Sequence, residues 1–219
     1  HGPDFRTAWT TPEDLGWKLA ASNLADVAAM GATPTALVVS LVVPKQTPIR
    51  VLMGIADGLR AACVALAPGC GVEGGDLATG SVLVAAATAF GDLGGRAPVT
   101  RAGARPGDVV AASGATGAAA RGIAALFATA VIDREPDAQL GRELRAVKPD
   151  VEAQLRPRPP IGDGVLASKA GATAMLDVSD GLALDARRIA MASGVAIDLD
   201  TAAVGDEAAL HGGEDHSML

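Results

Sequence analysis

Carboxylates next to glycines are the residues in this chain whose types and spacing could do chemistry. Gly74-Gly75-Asp76 is one cluster, Asp177-Val178-Ser179-Asp180-Gly181-Leu182 a second, and Gly212-Gly213-Glu214-Asp215 a third. Glycine lets a backbone approach a ligand and adopt positive φ, while a carboxylate binds a hard cation. Each cluster alone has a plain structural alternative: Asp180 as a helix cap, Gly74-Gly75 as a turn. Three of them together with Asp26 point further, because converging carboxylates repel one another unless cations hold them. Magnesium bound by a few carboxylates and completed by substrate phosphates is a common arrangement in phosphoryl transfer. Arginine outnumbers lysine 14 to 4, and its planar fork suits bidentate phosphate contacts. Arg101 and Arg105 are the best placed, though each also reads as a solvated surface charge.

Other motifs weigh less. Gly69-Cys70-Gly71-Val72-Glu73-Gly74 matches the dinucleotide pattern, which needs a strand before it and a helix after it. Here a helix is expected before it and a strand after. No glycine precedes any of the four lysines, so a Walker A loop is absent. Cys63 and Cys70 are too few for a disulfide framework, and His1, His211 and His216 lie far from them in sequence. Two buried or half-buried thiols in a reducing cytoplasm are expected.

These side chains need elements to position them. Thr11-Pro12-Glu13-Asp14 has the residues of a helix start, and the helix is expected to run to about Met30, with Gly31 as its stop. Leu15, Leu19, Ser22 and Asp26 then share one face, which sets a carboxylate among apolar and small residues. Ala36 to Val43 reads as a buried strand, Ile49 to Leu66 as a helix, and Ser81 to Phe90 as a strand. After a polar connector, Val109 to Ser113 reads as a strand and Gly114 to Gly117 as a turn, leading into a helix that ends near Ala130. Asp133 to Arg158 is a charged segment. Ala172 to Val178 and Val195 to Leu199 read as strands on either side of a helix from Gly181 to Met191. A domain boundary near 98 to 104 divides the chain into 1–98 and 99–219. The true N-terminus is expected to precede His1, and the end at Leu219 is equally abrupt.

Composition bounds the partners. In 219 residues, 49% are hydrophobic and 20% charged, a globular balance. A net charge of -7 argues against nucleic acid or an anionic membrane as the main partner. The longest uncharged run, Val27 to Pro44, is broken by Gly31, Pro34 and Ser40 and does not read as a membrane span.

Five blocks in order resemble the thiamine-monophosphate kinase family. They are Asn23-Leu24-Ala25-Asp26-Val27-Ala28-Ala29-Met30-Gly31-Ala32, Gly74-Gly75-Asp76, Arg101-Ala102-Gly103-Ala104-Arg105-Pro106-Gly107-Asp108, Asp177-Val178-Ser179-Asp180-Gly181-Leu182 and Gly213-Glu214-Asp215. The resemblance covers nearly the whole chain. It implies an α/β (α+β) fold of two domains, like aminoimidazole ribonucleotide synthetase, whose N-terminal sheets pair in a homodimer with the nucleotide at the interface. It also implies a cytoplasmic enzyme that uses ATP and Mg²⁺ to convert thiamine monophosphate to thiamine diphosphate. Carried over by position, Asp26, Asp76, Asp177 and Asp180 would be metal ligands, with Asp180 as the catalytic position. Gly75, Asp76, Arg101 and Ser179 would contact ATP, and Glu214 and Asp4 would lie on the acceptor side. Two departures fall on that side: Asp4-Phe5 replaces the family's His-Phe, and His216-Ser217 replaces its Tyr-Glu. A same-fold enzyme with another phosphate or carboxylate acceptor, or a non-catalytic nucleotide-binding relative, therefore stays open.

Overall fold

A computed structural model describes residues 5–219, and Asp4 lies outside that range. Its mixed α/β architecture begins with α1 (Pro12–Ala29), β1 (Thr33–Val43), α2 (Ile49–Leu66), β2 (Gly71–Thr79) and β3 (Val84–Asp92). The Thr11 side chain accepts from the Asp14 backbone, and the Asp14 side chain accepts in return from the Thr11 backbone. This reciprocal cap starts α1 where the sequence predicts it.

β1, α2 and β2 form a crossover unit, with β2 parallel to β1 and β3 antiparallel on the other side, in the order β2-β1-β3. Leu37 and Val39 point from β1 into a core shared with α1 and α2, while Val38 and Ser40 are exposed. Alanine dominates the helical side: Ala20, Ala21, Ala25 and Ala28 are fully buried beside Leu24. Small residues let the two helices touch. A Cβ on Gly16 would come within 2.0 Å of the Ile55 carbonyl, and one on Gly58 within 2.0 Å of the Glu13 carbonyl. Backbone contact that close leaves no room for a side chain.

Beyond the connector come α3 (Ala118–Thr129), a short hairpin of β4 (Val131–Ile132) and β5 (Glu135–Pro136), α4 (Ala138–Val147), α5 (Pro149–Leu155) and α6 (Ile161–Ala170). The chain continues with β6 (Asp177–Val178), α7 (Leu182–Ser193), α8 (Thr201–Val204), α9 (Glu207–His211) and β7 (Ser217–Met218). β6 and β7 pair antiparallel. Trp9 joins α3, α4 and α5 in a second core, and α7 packs with β6 in a third.

The second half differs from the sequence expectation. Val109 to Ser113 makes only an isolated bridge, from Ser113 to Met218. Val195 to Leu199 forms no strand, and the strand expected over Ala172 to Val178 shrinks to Asp177–Val178. A ladder needs a neighbour as well as β-prone residues, and Val109 is 90% exposed. The opposite error occurs at Gly71–Thr79. Gly74-Gly75 has a turn as its plain reading, yet pairing with β1 makes the segment a nine-residue strand.

Cys63 and Cys70 are free and buried. Among the described residues, no helix is long and apolar enough to cross a membrane.

Candidate active site

One face of α1 carries Lys18, Ser22 and Asp26, spaced one helical turn apart. Each meets a partner from the far end of the chain. Lys18 Nζ lies 2.7 Å from Glu214 Oε2. Ser22 Oγ lies 2.9 Å from His216 Nε2, and His216 Nδ1 lies 2.9 Å from Asp177 Oδ2. Asp177, at the start of β6, is close enough for its carboxylate to act on the Asp26 carboxyl.

The loop carrying Glu214 and His216 is placed by its backbone. Glu214 N–H donates to the Ser179 carbonyl at 2.9 Å, and His216 N–H donates to the Val178 carbonyl at 3.1 Å. Both residues hold positive φ, 72° and 54°. Gly213 makes the approach feasible, since a Cβ there would sit 2.0 Å from the Ser179 carbonyl.

The electrostatics of Asp26 follow from this setting. One flank of the residue is open to solvent. Partial burial of the carboxyl, and next the Asp177 carboxylate, push it up to about 6, while His216 and Arg101 pull the other way. Like charges from separate elements are thus held together with a ring between one of them and α1. Two hard oxygen donors in mutual repulsion suit a divalent cation.

The remaining predicted positions, apart from Arg101, fall elsewhere. Asp180 Oδ2 pairs with Arg188 Nη1 at 2.5 Å, and Arg188 also holds the buried Asp185. Asp185 Oδ2 accepts from the Asp180 backbone N–H at 2.9 Å. Gly75 and Asp76 line a groove between β2 and α2, where Asp76 is exposed and in register with Ser40. Arg101 is exposed on the connector, and its carbonyl accepts from Ser193 Oγ at 3.0 Å. Within the chain, Asp26 and Asp177 therefore converge, while Asp76 and Asp180 do not join them. Among the described residues no group of three or more His, Cys, Asp or Glu is arranged to hold a metal ion.

Asp215, grouped by sequence with the other acids, is a helix cap. It is buried and accepts from the backbone N–H of Gly117 at 2.7 Å and of Ala119 at 2.9 Å, at the start of α3. Sequence reasoning missed Lys18 and Arg188, and it read His216 only as an acceptor-side departure, not as a bridge between Ser22 and Asp177. Lys18 was within reach, since it stands one turn before Ser22 on the same face.

Phe5, Arg6, Trp9, Lys18 and Phe127 line a cleft. The Trp9 and Phe127 rings meet edge to face at 5.2 Å, with the Arg6 guanidinium over both.

Comparison with known proteins places these features in context. Residues 1–93 match the family model "AIR synthase related protein, N-terminal domain". A thiamine-monophosphate kinase from Mycobacterium tuberculosis is 40% identical over 232 residues, covering 98% of this chain and 65% of that protein. One from Corynebacterium glutamicum is 37% identical over 235 residues, covering 100% of this chain and 68% of that protein. The chain thus spans about two thirds of the length of these relatives. The crystal structure of thiamine-monophosphate kinase from Stenotrophomonas maltophilia superposes with a TM-score of 0.80 at 28% identity, covering 100% of this chain and 70% of that one. A structure described as AaThiL complexed with AMPPCP and TMP gives 0.78 at 27% identity, covering 100% and 71%. The fold is that of the AIR synthase-related proteins, and the chain belongs to the thiamine-monophosphate kinase family.

Proposed function

We propose that this chain carries the ATP and acceptor sites of a cytoplasmic, homodimeric, Mg²⁺-dependent kinase that converts thiamine monophosphate to thiamine diphosphate. The observation that carries the reading is the Asp26–Asp177 carboxylate pair, held against α1 by the contacts of Lys18, Ser22 and His216. The relative described with AMPPCP and TMP supports both substrates. A cytoplasmic setting is supported by the two free thiols.

In this reading residues 1–98 and 99–219 are two units that share the substrates. Asp26 and Asp177 would hold one Mg²⁺, with water and phosphate completing the coordination, while Asp76 and Asp180, which stand apart from that pair within the chain, would meet cations carried by the triphosphate. Gly75, Asp76, Arg101 and Ser179 contact the nucleotide. Glu214 and Asp4 serve the acceptor. A second copy of the chain would cover the exposed sheet residues Val38, Val84 and Phe90.

The acceptor oxygen is already an anion, so the chain needs no general base. That oxygen bonds to the γ-phosphorus as the bond to the ADP oxygen breaks. Bound Mg²⁺ supplies charge neutralisation for the two polyanions. The residues bring the reacting oxygens into line and keep the carboxylates from repelling the phosphates. Asp180, half exposed and paired with Arg188, would exchange that partner for the cation.

The test is purified protein with ATP, Mg²⁺ and thiamine monophosphate, following ADP and thiamine diphosphate together. Asp180→Asn is expected to lose most of the rate, and near-parental turnover would remove it from the mechanism. ADP release with other phosphate or carboxylate acceptors, but not thiamine monophosphate, would overturn the acceptor assignment.

A further inference from the structure

His216 sits between two side chains that the fold must bring together, on elements far apart in sequence. Its ring is buried, 5% exposed, and its φ of 54° is one that few side chains other than Asn, Asp and His adopt readily. Ser22 Oγ lies 3.0 Å from the Lys18 carbonyl and donates its one proton there. His216 Nε2 lies 2.9 Å from that hydroxyl, and Nδ1 lies 2.9 Å from Asp177 Oδ2. The ring thus spans the two side chains. Ser22 is one turn before Asp26, so anchoring the ring on Ser22 sets the distance from Asp177 to Asp26.

We infer that His216 is a positioning residue that clamps the Asp177 carboxylate to α1 and so holds the Asp26–Asp177 pair at the spacing a divalent cation needs. This rests on the cation-binding reading above. Ring contacts of this kind fix the orientation of a ligating carboxylate, and their loss typically costs about 10- to 100-fold in metal affinity or activity.

The two nitrogens can be removed separately. Asn places its amide nitrogen near the Nδ1 position and tolerates the positive φ, so His216→Asn keeps the donor to Asp177. His216→Gln reaches toward Ser22 instead and gives up Asp177. Ser22→Ala removes the anchor without touching the loop backbone, which guards against a loss caused only by strain in the Gln variant. The readouts are Mn²⁺ binding, followed by loss of its free-ion paramagnetic resonance signal, and the Mg²⁺ concentration for half-maximal turnover. A thermal melt of each protein checks the fold.

Cation affinity is expected to fall about 10- to 100-fold in His216→Gln, and by a smaller, similar factor in His216→Asn and Ser22→Ala, each of which gives up the Ser22 anchor but keeps the donor to Asp177. A folded His216→Gln that binds Mn²⁺ as the parent does overturns the inference. So does a His216→Asn that loses as much as the Gln variant, because the ring would then be acting only as filler. A parent protein that binds no Mn²⁺ overturns the proposed function itself, and that outcome is distinct from variants that match a binding parent.

Discussion

Replacing Asp215 separates a helix cap from a ligand. The carboxylate is 7% exposed and accepts two backbone N–H groups at the start of α3, where Gly117 at φ 80° offers no side-chain cap of its own. Hydrogen bonds to charged groups are worth about 1.5–3 kcal/mol each, and loss of a helix cap costs about 0.5–2 kcal/mol. Burial works against the full sum, since it pushes the Asp215 carboxyl up despite both N–H donors. A net loss of about 2–3 kcal/mol is expected for Asp215→Ala from these opposing contributions. For a chain of 219 residues, each kcal/mol moves the melting temperature by about 2–4 °C. The expected fall is therefore about 4–12 °C, with Asp215→Asn retaining one acceptor oxygen and falling between variant and parent. The assay is thermal melting by circular dichroism, paired with turnover measured well below the transition. An Asp215→Ala protein that melts with the parent but no longer turns over would refute the capping role and return Asp215 to the ligands.

Asp26→Asn should remove the repulsion from Asp177. The native carboxyl near 6 lies above its ordinary value of 3.8, so between those pH values the native state binds more protons than the unfolded state. Parental stability should therefore fall as pH rises through that window. The Asn variant should melt with the parent below about pH 4 and above it beyond about pH 6, while losing Mg²⁺-dependent turnover. Parallel melting profiles from pH 4 to 8 would contradict this. Asp14 is fully buried between Arg145, at 2.7 and 3.0 Å, and Arg156. Burial raises its carboxyl, but the two guanidinium groups outweigh that and hold it below the usual range. Asp14→Ala should cost about 3–5 kcal/mol in denaturant unfolding, as expected when one partner of a buried ion pair is lost. Gly58→Ala would push a methyl against the Glu13 carbonyl and should cost about 1–3 kcal/mol or more by overpacking. An unchanged denaturation midpoint would mean that α1 and α2 separate freely.

What was legible in the sequence depends on the range of the forces involved. α2 appears at Ile49–Leu66, the predicted span, because helical hydrogen bonds are local and its apolar spacing repeats every turn. α1 begins at its cap for the same reason. Strands depend on partners, so glycine-rich β2 was hidden and the stretches at 109–113 and 195–199 were overcalled. The site follows this division. Ser22 and Asp26 could be placed on one face because helical geometry alone decides it. Their opposite numbers could not, since His216 is 194 positions from Ser22 and Asp215 is 98 positions from Gly117. Nor does residue type distinguish the acids. Asp177 faces a like charge, Asp180 an arginine and Asp215 two amide protons, and these surroundings make one a candidate cation ligand, one an ion-pair partner and one a cap. Each aspartate takes its chemistry from the chain the fold brings to it, so substitutions at neighbours such as Ser22 and Arg188 should retune these acids without touching them.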